Sequence, residues 1–204
     1  MSTGSMKIIL ASTSPRRHEL ARAMGLDFEI VPSNYEEDIT MKLPPKKIVM
    51  TLAYGKAADV AKRRKEGLVI GIDTVVVYKN KILGKPKNKE ISEKMLKMLS
   101  GKKHQVYSGI AMIDCRTGRT IKDCEITDVY FKKLSDKEIK GYVNTGESLD
   151  KAGAYGIQDL SSIFIKKIEG CYFNVVGFPT SKIYENLKKF NVDIFTHTRW
   201  QKTK

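Results

Sequence analysis

The stretch GLVIGIDTVVVY at positions 67–78 constrains this chain most. Its β-branched side chains favour the pleated surface of a sheet, so it predicts a central strand that turns at Lys79 and Asn80 into the short KIL. The other elements fall around it in an α/β order, with no internal repeat and no low-complexity linker. KIILA reads as a buried strand, followed by a helix from Pro15 to Met24 that stops at Gly25. FEIVP predicts a second strand. PPKKIVMTLAYGKAADVAKRRK sets Ile48, Leu52, Val60 and Ala61 at helical spacing, with Pro45 at a permitted first-turn position. A further helix is expected from Lys89 to Leu99. HQVYSGIAMIDC and TIKDCEITDVYF flank RTGR and predict a hairpin, and SDKE from Ser135 predicts a capping box opening a short helix. SIFIKKI and CYFNVV predict another hairpin around Glu169 and Gly170, and Pro179 leads into a last amphipathic helix through Phe190.

With 204 residues and 41% hydrophobic content, the chain supports one sizeable core. The expectation is a single soluble domain over 6–192, with MSTGS at 1–5 an added remnant and 193–204 a peripheral tail. Cys115, Cys124 and Cys171 form no CxxC pair and leave an odd count, which points to reduced cysteines in a cytoplasmic protein. No run of about 18 apolar residues suggests a membrane span, and no secretory signal opens the chain. The net charge of +14 admits nucleic acid, an anionic surface or a phosphorylated small molecule as partner. Most of the excess is lysine scattered in pairs with little aromatic interleaving, which fits a solvated surface and does not favour nucleic acid.

Chemistry concentrates at the loop ends. In ASTSPRR, Ser14 and Pro15 are ordinary helix-start grammar, but Arg16 and Arg17 place two cations in a first turn that already carries about half a positive charge. They call for an anion there, either a bound phosphate or a carboxylate of the chain itself. In GIDT, Asp73 and Thr74 interrupt an apolar strand. A buried carboxylate needs a partner, so Asp73 is a structural ion-pair member, a metal ligand or a general base. The acids Glu36, Glu37 and Asp38 could join it as metal ligand or base, and Lys56 and Lys85 could supply further phosphate contacts. LDKAGAYGIQD at 149–159 reads as a loop, since two helix-interior glycines would each cost about 1 kcal/mol. It is either a functional loop or a plain surface connection. Neither GxxxxGK[ST] nor GxGxxG is present.

Together these segments resemble the Maf family of nucleoside triphosphate pyrophosphatases. The resemblance runs from Met6 to Phe190 through LASTSPRR, YEED, GIDTVV, GKP, LSGKKHQVYSG, DKAGAYGIQ and GCYFNVVGFP. It implies a mixed-sheet α/β fold of the Maf and ITPase type, two lobes around a nucleotide-binding groove, and a homodimer. It also implies hydrolysis of a nucleotide to its monophosphate and pyrophosphate with a divalent cation (Mg, Mn or Co), a house-cleaning role. Carried over by position, Asp73 is the proton acceptor, Glu37 a second acidic residue, and both are metal ligands. Lys56 and Lys85 are catalytic phosphate contacts. Ser12, Arg16, Arg17 and Lys151 bind substrate phosphates. Arg16, Thr74 and Gln158 match the branch acting on dTTP and UTP, with CTP or modified pyrimidine nucleotides as further candidates. Tyr155 is assigned to packing. The family's association with septum formation supports a second reading, a regulatory or nucleic-acid-binding protein linked to arrest of cell division.

Overall fold

A computed structural model describes residues 6–195, so the expected remnant at 1–5 and the tail from 196 lie outside the described residues. The strands are β1 (Ile8–Leu10), β2 (Phe28–Ile30), β3 (Leu68–Tyr78), β4 (Lys81–Leu83), β5 (Lys103–Asp114), β6 (Thr120–Phe131) and β7 (Ile165–Glu169). The helices are α1 (Pro15–Ala23), α2 (Pro45–Ala61), α3 (Lys89–Leu99), α4 (Asp136–Asn144), α5 (Tyr172–Val176) and α6 (Thr180–Lys189). The strands form one sheet in the order β2-β1-β3-β5-β6-β7, with β4 also paired to β3. β1 runs parallel to β2 and β3, and the remaining pairs are antiparallel.

Unequal strand lengths position the site. On one edge of β3, β1 pairs only with Leu68–Ile70 and β4 only with Val76–Tyr78. Residues 71–75 therefore face a gap in the sheet. Strand alternation turns Val69, Asp73, Val75 and Val77 toward α2, while Leu68, Ile70, Ile72 and Thr74 face the opposite layer. The helix lies close because two glycines are under it. A Cβ on Gly71 would stand 2.3 Å from the Ala53 carbonyl oxygen, and one on Gly109 would stand 2.1 Å from that of Val49.

Hydrophobic packing divides along the long strands. Ile8, Leu10, Leu20, Ile70, Ile110, Phe178 and Leu187 form the core at the β1 end, under α1 and α6. Val76, Leu96, Val106, Phe131, Tyr142, Tyr155 and Phe164 form the core at the other end, under α3 and α4. The gap at 71–75 opens between these two lobes. The capping box of α4 forms as predicted, with Ser135 and Glu138 each satisfying the other's backbone N–H.

The expected hairpin of SIFIKKI and CYFNVV does not form. β7 pairs with β6, and CYFNVV becomes α5. Gly170, at φ 124°, turns the chain there, and Gly177, at φ 111°, terminates the helix. The Asn174 amide donates to the Val106 carbonyl and to Thr127 Oγ1, each at 3.0 Å, tying α5 to β5 and β6. These long-range contacts override the strand propensity of valine, phenylalanine and tyrosine. The 149–159 stretch is irregular as expected, with short 3-10 turns at Glu147–Asp150 and Ala152–Ala154.

Tyr155 is buried in packing, with its ring centroid 4.7 Å from that of Phe131 and 5.3 Å from that of His104. Its hydroxyl lies 2.7 Å from His104 Nε2. Burial pushes the His104 pKa from 6.5 down to about 4, against a weak upward pull from Asp128. Below pH 6.5 the unfolded chain takes up a proton that the folded chain refuses until near pH 4. This stability is therefore full above pH 6.5 and declines as pH falls toward 4, by about 3 kcal/mol. His104→Gln keeps a polar partner for Tyr155 and removes the titration, so denaturant melts across this window should show a flatter acid limb. An unchanged slope would exclude His104 as its source.

Candidate active site

The gap in the sheet opens into a groove of about 650 Å³. Its walls bring together Ser12, Arg16 and Arg17 from the β1–α1 turn, Glu37 from the β2–α2 loop, and Lys56 from α2. Asp73 and Thr74 of β3, Lys85 after β4, and Lys151 and Gln158 of the 149–159 loop also line it. Every residue that the resemblance assigned to the site borders this one cavity, whereas Glu36 and Asp38, the other acids of that loop, do not line it.

Its floor holds a compact ion cluster. Asp73 is 5% exposed and accepts a hydrogen bond from Lys56 Nζ at 2.6 Å. The same ammonium lies 2.7 Å from Glu37 Oε1. One partly exposed cation thus joins the two carboxylates, and of the readings left open for Asp73 the ion pair is the contact present. Asp73 and Glu37 are hard oxygen donors converging on one point, which suits an oxygen-preferring divalent cation completed by substrate oxygens. Among the described residues, no three His, Cys, Asp or Glu side chains cluster to hold a metal by themselves.

Thr74 points to the other side of the sheet, where its hydroxyl sits 2.8 Å from Ser108 Oγ. Arg17 closes over it. The Arg17 guanidinium donates to the Gly177 carbonyl at 3.0 Å, the Ile72 carbonyl at 2.9 Å, Thr74 Oγ1 at 3.2 Å and Ser12 Oγ at 3.4 Å. Ile72 belongs to the stretch that lacks a strand on this edge, so Arg17 serves one of its carbonyls as a neighbouring strand would. Burial pushes the Arg17 pKa down while the Asp73 and Glu37 carboxylates push it back up. Most of its donors are held by the fold. Arg17 is therefore placed as a brace beside the site more than as a free phosphate ligand.

Arg16 points the other way, toward Asp150 at 3.6 Å and Asp159 at 3.9 Å. The anion expected at the helix start is here a pair of carboxylates from the opposite lobe. Lys151, 6% exposed, shares them, at 2.9 Å from Asp150 and 3.4 Å from Asp159, and also donates to the Glu147 carbonyl at 2.8 Å. Burial opposes ionisation of Asp150, but Lys151 and Arg16 outweigh it and hold its pKa below the usual value. Ser12 is buried, its hydroxyl accepting from the Ser14 N–H at 3.2 Å, and Ser14 occupies the helix N-cap without a side-chain bond. Lys85 and Gln158 are exposed at the rim. Ser108, Asp159 and Gly177 escaped the sequence reading as partners. The only available signal was small or polar residues beside apolar strands and turns.

The profile of the Maf-like protein family matches residues 7–190. A dTTP/UTP pyrophosphatase of Desulforamulus reducens is 49% identical over 187 residues, covering 92% of this chain and 98% of that protein. A dTTP/UTP pyrophosphatase of Alkaliphilus oremlandii is 53% identical over 178 residues, covering 87% of this chain and 92% of that protein. A HAM1 protein from Coxiella burnetii superposes with a TM-score of 0.52 at 12% identity, covering 90% of this chain and 99% of that one, which shows a shared fold. Profile and relatives span both lobes and the groove between them, and the chain belongs to the Maf-like family.

Proposed function

We propose that the chain hydrolyses dTTP and UTP to the monophosphates and pyrophosphate. The observation that carries this is Lys56, 12% exposed, joining Glu37 and Asp73 at 2.7 and 2.6 Å in a groove that Arg16 and Lys151 also line. The relatives at about half identity bear that activity in their names.

Asp73 accepts the proton of the water that attacks the α-phosphorus, and the bond from that phosphorus to the bridging oxygen breaks so that pyrophosphate leaves. Lys56 orients the Asp73 carboxylate through the hydrogen bond between them. Arg16 exchanges Asp150 and Asp159 for phosphate oxygens, and Lys85 meets the same charge from the rim. A divalent cation (Mg, Mn or Co) would be held by Glu37 and Asp73 and would neutralise charge developing on the phosphates. Gln158 reads the base, because its amide offers the acceptor and donor that match N3–H and O4 of uracil or thymine. That amide can also turn over for cytosine, so Gln158 alone does not exclude CTP.

Pyrophosphate release from a panel of nucleotides, with each cation in turn, tests the reading. UTP and dTTP should lead the panel. Orthophosphate release instead, or no turnover of either nucleotide, would overturn it. Gln158→Glu leaves only acceptors facing O4, an unmatched contact costing about 1 to 3 kcal/mol, or roughly one to two decades in kcat/KM for UTP and dTTP. Guanine, with two adjacent donors, should lose less, so the pyrimidine-to-guanine ratio should fall. An unchanged ratio would remove Gln158 as the base reader.

A further inference from the structure

Glycine inside a helix carries a conformational penalty, so Gly55 in the middle of α2 calls for a reason. Unlike Gly71 and Gly109, it does not serve the approach of helix to sheet. The three atoms nearest the position of its missing Cβ all belong to the Tyr35 ring, at 2.3, 2.5 and 2.6 Å. The phenol end of Tyr35 therefore occupies the space that any side chain at 55 would take. The segment leading to Tyr35 is fastened along the same side of the helix. Asn34 N–H and Ser33 Oγ donate to Asp59 at 2.9 and 3.3 Å, Tyr35 N–H donates to Ser33 Oγ at 3.0 Å, and Arg63 donates to the Pro32 carbonyl at 2.9 Å. Gly55 and Asp59 stand one helical turn apart, so they share a face. Two residues beyond Tyr35, Glu37 reaches Lys56, the neighbour of Gly55, at 2.7 Å. The Glu37 side chain is itself 48% exposed. Burial does not hold it in place. The docked ring fixes the chain from which it extends.

We propose that Tyr35 and Gly55 form a latch that holds Glu37 against Lys56, and that both are positioning residues for the groove's ion cluster. The ring lines the groove beside the ion cluster. It acts through the position of Glu37, and through Glu37 on Lys56 and Asp73. The catalytic consequence rests on the pyrophosphatase reading above.

Gly55→Ala tests the latch, because alanine favours the helix and its methyl meets the ring first. With UTP, kcat should fall about 10- to 100-fold while KM stays within about twofold, since Arg16, Lys151 and Gln158 are untouched. Tyr35→Val removes the ring and should lower kcat to a similar degree, and the double variant should lose little more than either single one, because both substitutions break the same contact. In a Glu37→Gln background, Gly55→Ala should add little further loss, since the residue it displaces is already disabled. Wild-type kcat in Gly55→Ala or in Tyr35→Val, losses that multiply in the double variant, or a full additional loss on top of Glu37→Gln would each overturn the proposal. If the wild-type protein releases no pyrophosphate at all, the functional reading fails and melting decides the latch. Gly55→Ala should then lower Tm by about 2–4 °C, against the direction of helix propensity, whereas in a Tyr35→Val background, where the ring is gone, it should leave Tm unchanged or raise it. A Tm that rises with Gly55→Ala alone would show that the ring does not hold the loop.

Discussion

Asp73→Asn should lower turnover of UTP by about two to four decades while the protein remains at least as stable as wild type. The two expectations come from the same contact. Asp73 is the buried partner of Lys56, 5% exposed, and its carboxylate is desolvated on the helix-facing side of β3. Asparagine keeps its shape and can still face Lys56 through the amide oxygen. Lys56 retains Glu37 at 2.7 Å, so the substitution does not strand the cation. What is removed is the capacity to accept a proton and a hard anionic oxygen. A bystander ion pair would behave differently, with turnover near wild type and any change confined to melting. Turnover and Tm measured on one preparation separate the cases, and wild-type turnover in Asp73→Asn would sink the assignment of Asp73 as base.

Where local chemistry dominates, the sequence was legible. β3 declares itself through its β-branched run, the start of α4 through Ser135 and Glu138, and β6 through a polar-apolar hairpin arm. Asp73 could be picked out because a carboxylate in such a strand needs a partner, but that the partner is Lys56, expected as a phosphate contact, only the fold shows. The rest depends on distance in the fold. CYFNVV has strand propensity and becomes a helix because Asn174 finds Val106 and Thr127 on strands far away in sequence. Arg17 reads as a twin of Arg16, yet successive helix residues point about 100° apart. Arg16 faces the carboxylates of the other lobe, and Arg17 faces the broken edge of β3. The gap itself follows from β1 and β4 both being short, which can be read from strand lengths only once their registers are known. The Tyr35–Gly55 contact brings together a loop and a helix that no spacing rule connects.

That difference between the two arginines leads to the largest expected change in stability. Arg17→Met retains length and apolar bulk but removes every donor. The carbonyls of Ile72 and Gly177 then lose partners at 2.9 and 3.0 Å, while Thr74 and Ser12 lose one bond each but keep Ser108 and the Ser14 N–H. Leaving buried acceptors unmet costs about 1 to 3 kcal/mol each, and partial entry of water lowers the sum, so a loss of about 3 kcal/mol is expected. For a chain of this size that corresponds to roughly 6–12 °C in Tm. Arg17→Lys should fall between, because a single ammonium cannot span acceptors on β3, the β1–α1 turn and the α5 terminus together. Arg16→Met should barely move Tm, since its partners are 3.6 and 3.9 Å away and its own side chain is 35% exposed. It should instead reduce the thermal shift produced by pyrophosphate. The opposite pattern, with Arg17→Met neutral for the free protein and the pyrophosphate shift abolished, would make Arg17 a phosphate ligand and not the brace across the broken edge of β3.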